Sequence, residues 1–175
     1  MAVFDRNRPR IHIPMTLGEW AMQAVSGACL LANIVVTLTA YPNLPARVPT
    51  HLDIAGNIDA WGGKTSVFIL PAVALGLFVL VTLIERFPHV MNYPVVVTHK
   101  NAEPLYRTGR LLMTWLKAVI LGMLLYMNWI MIAIAGQKLK NPGMVYLPIF
   151  IVLLLGGGAY FIFWMFRADR ESRWK

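Results

Sequence analysis

Residues 65–84 read TSVFILPAVALGLFVLVTLI, twenty positions without a charge, closed by Lys64 on one side and Glu85 on the other. An α-helix rises about 1.5 Å per residue, so twenty residues match a hydrocarbon core about 30 Å thick. Three further stretches meet the same test. Trp20–Tyr41 lies in an uncharged run that reaches Pro42. Ala118–Gln137 is extended by Leu111–Trp115, with Lys117 between. Asn141–Phe166 is the longest, and Val145–Phe166 is expected to form its helix. Lipid offers the backbone no hydrogen-bond partner, so runs of this length must be helical. The expectation is an all-α membrane protein, a four-transmembrane-helix bundle with spans at about 17–41, 65–86, 111–137 and 145–166. A basic tail at 1–16, another at 167–175 and a short structured loop between the first two helices complete it.

Composition agrees. Of 175 residues, 58% are apolar and 14% charged, against about 45–50% and 25% in water-soluble domains. That excludes a disordered chain and an ordinary soluble enzyme domain. The single cysteine, Cys29, gives no intrachain disulfide and no cysteine metal site, and reads as a packing residue. The net charge of +8 would suggest nucleic acid in a soluble protein. Here the cations segregate. The two tails and the loop between the second and third spans hold eleven Lys and Arg, and the other two loops hold four. Lys and Arg resist translocation, which places both termini in the cytoplasm and accounts for the charge without nucleic acid. The first span, with Arg6, Arg8 and Arg10 before it, is too long for a signal-peptide core and reads as a retained anchor.

Polar residues inside spans need partners. Asn33 and Asn128 are expected to face other helices, where amides bond across a bundle. Glu19 is expected to stay wet at the end of the first helix. Lys117 is expected to snorkel to the interface on its long stem; were it buried, Glu85 or Glu103 would be its partner. Ala72 with Gly76, and Ala118 with Gly122, are spaced for helix contacts. Gly156-Gly157-Gly158 is expected to interrupt the fourth helix. The aromatics that follow, from Tyr160 to Phe166, suit an interfacial belt.

The outer loop, residues 41–64, carries three prolines and a Gly56-Asn57 turn signal. Thr50–Ile54 and Ile58–Trp61 can pair as a hairpin, with His51 and Asp53 on one face and Asp59 and Trp61 likewise aligned. This cluster supports three readings: a structural loop in which Asp59 accepts from His51, a recognition surface for a peptide or lipid, or a divalent metal site of His51, Asp53 and Asp59. The last has weak spacing, and no metal is expected. Gly63-Lys64-Thr65 lacks the first glycine of a phosphate loop, since position 58 is Ile58, and no HExxH or GxSxG occurs. No nucleotide is expected, and the sequence names no other cofactor. His12, His89 and His99 fall on the other side of the membrane from His51. In the inner loop, Thr98 is a plausible helix N-cap. The loop reads either as a basic connector on anionic lipid heads or as a docking site for a cytoplasmic partner.

The pattern Leu44-Pro45-x-x-Val48-Pro49-x-His51-x-Asp53-x-x-Gly56-x-x-Asp59-x-Trp61-Gly62-x-Lys64 resembles the uncharacterised bacterial membrane domain at the N-terminal part of SdpI-type immunity proteins. Asn92-x-Pro94, Asn101-Ala102-Glu103, Tyr106 and Arg110 are similar to that family's second segment. Leu52 departs from the aromatic that relatives tend to carry. The resemblance implies a bacterial inner-membrane, polytopic, non-enzymatic protein. Its binding residues would be His51, Asp53, Asp59, Trp61 and Lys64, with partner docking at Asn92, Asn101, Glu103, Tyr106 and Arg110. The best-known member neutralises a secreted toxic peptide and relays a signal. The expected partners are therefore the bilayer, a peptide ligand, and a membrane complex or second copy. Two other roles remain open: an accessory subunit of a larger, bioenergetic-type membrane complex, suited by ten methionines and the glycine-rich fourth span, and a metal-assisted membrane enzyme using the outer loop.

Overall fold

The computed structural model describes residues 8–53, 55–139 and 146–174. Arg6, Lys140 and Lys175 of the charge count, Ile54 of the expected strand and position 145, where the fourth span was expected to begin, lie outside them. The element order is α1 (Leu17–Ala40), β1 (Arg47–Leu52), β2 (Ile58–Gly63), α2 (Ile69–Glu85), α3 (Ala102–Ala135) and α4 (Tyr146–Arg173), with a 3₁₀ turn at Lys64–Phe68 leading into α2. Four helical segments are long and apolar enough to cross a membrane. The chain is mostly helical and has the form of a multi-pass membrane protein.

Each helix boundary has a local cause. Thr16 caps α1: its hydroxyl accepts from the Glu19 amide at 3.2 Å, and the Glu19 carboxylate accepts from the Thr16 amide at 2.6 Å. This reciprocal pairing satisfies two of the free amides at the helix start. Gln137, with φ 57°, ends α3, and the Lys138 amide folds back to donate to the Ala133 carbonyl at 2.9 Å. α3 begins at Ala102, ahead of the span expected from 111 and close after the N-cap expected at Thr98, where Thr98 and Asn101 close a turn. α4 runs to Arg173 through the expected tail, held by the i,i+4 pairs Arg167–Glu171 and Arg173–Asp169. It is also unbroken at Gly156–Gly158. Gly157 admits the Trp115 indole, which a Cβ would strike, and the glycines do not end the helix.

α3 is the central helix. Of its most apolar window 39% is buried, against 11% for α4, so α4 lies at the edge and turns most of its surface outward. The proposed small-residue contacts fail: Ala72 and Gly76 lie on the exposed face of α2, where Ala74 packs inward, and Ala118 and Gly122 line an open apolar groove. Apolar clusters lie at both ends of the molecule. Leu44, Val48 and Leu52 of the hairpin side pack on Ile130, Ile134 and Ala135 of α3. At the opposite end Ile13, Tyr93, Val97, Leu105, Tyr106 and Met165 form a compact core. Between these ends the interior is polar, the arrangement expected where the surrounding solvent is already apolar.

Candidate functional sites

The hairpin is built by its turn. The Asp53 carboxylate accepts from the Ala55 and Asn57 amides, each at 2.8 Å, and from the Asn57 side chain at 3.2 Å. Gly56 takes φ 82°, a conformation glycine adopts without penalty. β1 and β2 pair antiparallel, with Val48 opposite Gly62 and Pro49 opposite Trp61, then a register shift that puts His51 opposite Ala60. The first strand therefore starts at Arg47 and includes Pro49, which the sequence reading had placed before the strand. Pro49 is tolerated because a two-stranded sheet has only edges.

The outward face presents His51 and Asp59, joined Nδ1 to Oδ1 at 2.6 Å, with side chains 67% and 47% exposed. Trp61 stands on the same strand as Asp59, two residues on, and is 51% exposed. The expected alignment of His51 with Asp53 is not what forms, because the bulge and the turn draw Asp53 to the amides of residues 55 and 57. Lys64 is also occupied. Its ammonium donates to the Pro42 carbonyl at 3.1 Å and lies over the Tyr41 ring. Among the described residues no three His, Cys, Asp or Glu converge, so the donor set of the metal-assisted reading does not assemble.

Asp53 carries a pH prediction. Hydrogen bonds from the Asn57 amide and side chain and the Ala55 amide hold its carboxyl below the ordinary value of 3.8. Its folded value is lowered, so the carboxylate stabilises the turn fully above the unfolded value. That stabilisation disappears as pH falls from about 3.8 through the lower folded value. Protection of the amides at residues 55–57, relative to their intrinsic exchange rates, is expected to fall across that window in the native chain, and Asp53→Asn is expected to flatten the response.

The second site is inside the bundle. Lys117, 1% exposed, does not snorkel. Its ammonium donates to Gln23 Oε1 at 2.6 Å, Thr82 Oγ1 at 2.9 Å and Glu85 Oε2 at 2.9 Å. All three donors are satisfied, which removes the reason for the stem to reach water. Gln23 also donates to Glu85 Oε2, at 2.6 Å, and Glu85 Oε1 has no partner. Of the two candidate partners Glu85 is the one used; Glu103 pairs with Arg107 on the surface. Glu19, expected to stay wet, is fully buried. Arg110 grips its two carboxylate oxygens and also donates to the carbonyls of Ile13 at 2.8 Å and Pro14 at 3.1 Å. Asn33 and Asn128 face each other as expected: Asn128 Nδ2 donates to Asn33 Oδ1 at 2.7 Å and to Thr37 Oγ1 at 2.6 Å.

The inner-loop residues divide. Asn101, Tyr106 and Arg110 are buried and spend their polar groups or packing surface inside the molecule. Asn101 donates to the Val96 carbonyl at 2.9 Å and to Asp169 Oδ1 at 2.8 Å, tying the end of α4 to the loop. Of the inner-loop residues, Asn92 and Glu103 are the exposed ones. Arg8 clips the N-terminal segment to the same loop through the Met91 carbonyl at 2.6 Å. Tyr93 donates to the Pro88 carbonyl at 2.8 Å, and burial pushes its phenol well up. Gln23, Thr82 and Asp169 were not singled out from the sequence. Gln23 was legible, because it stands four residues after Glu19 and three before Ser26 on the stripe that continues to Asn33 and Thr37.

Residues 28–75, which take in most of α1, the hairpin and the first turns of α2, match a family model described as "Domain of unknown function (DUF1648)". An uncharacterized protein of Archaeoglobus fulgidus is 37% identical over 65 residues, covering 33% of this chain and 36% of that protein. The similarity thus spans about a third of the relative's length. No solved structure matches the chain. The chain is similar, over residues 28–75, to a domain family whose description names no activity.

Proposed function

We propose that the chain is a non-enzymatic membrane protein that recognises a secreted peptide on its hairpin, in the manner of SdpI-type immunity proteins. The observation that carries this reading is the preorganised outer face of the hairpin. A connector between two helices needs no such construction, whereas a rigid exposed Trp61 beside a His51–Asp59 pair lowers the ordering cost of binding. In this reading the protein sits in a bacterial inner membrane with both termini cytoplasmic, supported by the positive-inside pattern. The end opposite the hairpin gathers Arg8, Arg10, Arg86, Lys100 and the Arg residues of α4.

The test is protection. Sensitive bacterial cells producing the native chain are challenged with the toxic peptide that SdpI-type proteins neutralise. The native chain is expected to raise the tolerated dose, and His51→Ala, Asp59→Ala and Trp61→Ala to lose most of that gain at equal membrane levels. A native chain that gives no protection, or variants that protect as well as it does, overturns the reading. Recovery of a stoichiometric membrane partner in the absence of protection would instead establish the accessory-subunit role.

A further inference from the structure

A small cavity lies directly under the hairpin, between it, the start of α2 and the last turns of α3. Its volume is about 70 Å³. Val48, Pro49 and Thr50 contribute from β1, Ser66 and Val67 from the 3₁₀ turn, and Asn128 and Met131 from α3. Most of the lining is apolar. The exception of interest is Asn128, which is 1% exposed and whose Oδ1 has no partner.

The orphaned oxygen is one half of a pair. Asn33 Nδ2, also buried, likewise has no partner. Reversing the amides does not rescue both groups. With Asn128 alone turned, two oxygens would face each other; with Asn33 alone turned, two NH₂ groups would. With both turned, Asn33 Nδ2 and the rotatable Thr37 hydroxyl donate to Asn128 Oδ1, and Asn33 Oδ1 and Asn128 Nδ2 become the open pair. Each assignment leaves a buried polar group open on both amides. A buried amide group left without a hydrogen bond is costly, and native proteins satisfy such groups with protein or with ordered water.

Volume and charge then select the occupant. A water molecule takes about 30 Å³ of liquid volume, so the cavity has room for about two. The lining residues include no ionisable side chain, and an unpaired cation there would lack the counter-charge that burial demands. We propose that this cavity is a hydration site beneath the hairpin, holding about two waters that hydrogen-bond to the unpartnered end of the Asn128 amide. Asn128 lies seven residues before the end of α3, so the site carries water about 10 Å down the helix axis. Leu121, two turns further and 1% exposed, marks where the α1–α3 seam turns dry. Nothing in this inference depends on peptide binding by the hairpin.

The experiment is water-edited solid-state NMR on the native chain in deuterated-lipid bilayers, which reads magnetisation passing from mobile water to individual side chains. The Asn128 side chain and the Met131 methyl group are expected to receive water magnetisation early, and Leu121 to stay dark. Asn128→Leu fills the cavity from the α3 side, and the Met131 signal is expected to fall to the Leu121 level. If Asn128 and Met131 in the native chain are as dark as Leu121, the hydration site does not exist. The native comparison decides the matter alone should Asn128→Leu fail to fold. A Met131 signal that survives in a folded Asn128→Leu chain would equally overturn the assignment.

Discussion

Lys117→Met is expected to destabilise the protein by about 3–5 kcal/mol, because it strands Glu85 as an uncompensated charge in the bundle interior. The size follows from what remains after the change. Glu85 Oε2 keeps only the Gln23 amide, and Oε1 has no partner to begin with. Methionine restores most of the volume, so packing contributes little to the loss. The control removes the other charge too. Lys117→Met combined with Glu85→Leu leaves only the Gln23 and Thr82 dipoles short of partners, and most of the lost stability is expected to return. Thermal or denaturant unfolding in detergent reads both. A double variant as unstable as the single one would show that the centre acts through side-chain shape and not through charge.

Arg110→Ala is expected to cost a similar amount, about 3–5 kcal/mol, and to do something Lys117→Met does not. Arg110 joins three parts of the chain: α3, the Glu19 carboxylate that caps α1, and the Ile13 and Pro14 carbonyls of the N-terminal segment. Its loss frees that segment as well as exposing a buried carboxylate. Trypsin cleavage after Arg10 is expected to accelerate in Arg110→Ala and to stay near the native rate in Lys117→Met. Arg110→Lys retains the charge but cannot fork across two carboxylate oxygens while reaching two carbonyls, so it is expected to recover only part of the stability. Equal cleavage rates in the native and Arg110→Ala chains would dissociate the segment from the ion pair.

The contrast between these two residues shows what a sequence exposes. Uncharged length located the helical segment Lys64–Glu85, although its first turn, Lys64–Phe68, is 3₁₀ and α2 proper starts at Ile69. The same criterion marks only the uncharged part of α3. Glu103, Arg107 and Arg110 interrupt the apolar run, yet the first turns of α3 pack on the N-terminal segment and the Tyr93 loop, where charges are admissible. Lys117 was misjudged because one residue was weighed against lipid alone. Its three acceptors come from two other helices, and only tertiary pairing brings them together. The hairpin was visible through its turn and its His51–Asp59 spacing. The bulge that re-aims Asp53 was not, because register depends on how the strands seat on α3.

The distribution of charge among the helices bears on how the molecule is made. Two of the buried carboxylates belong to the first two helices, Glu19 on α1 and Glu85 on α2, and the cations that neutralise them arrive on α3. During synthesis the first helical pair leaves the ribosome before the two bases that pair with these acids. That intermediate has no mature resting place in the bilayer until Arg110 and Lys117 emerge. A chain stalled before residue 102 would hold both acids without their α3 partners, so neutralising this interior waits on the third helix.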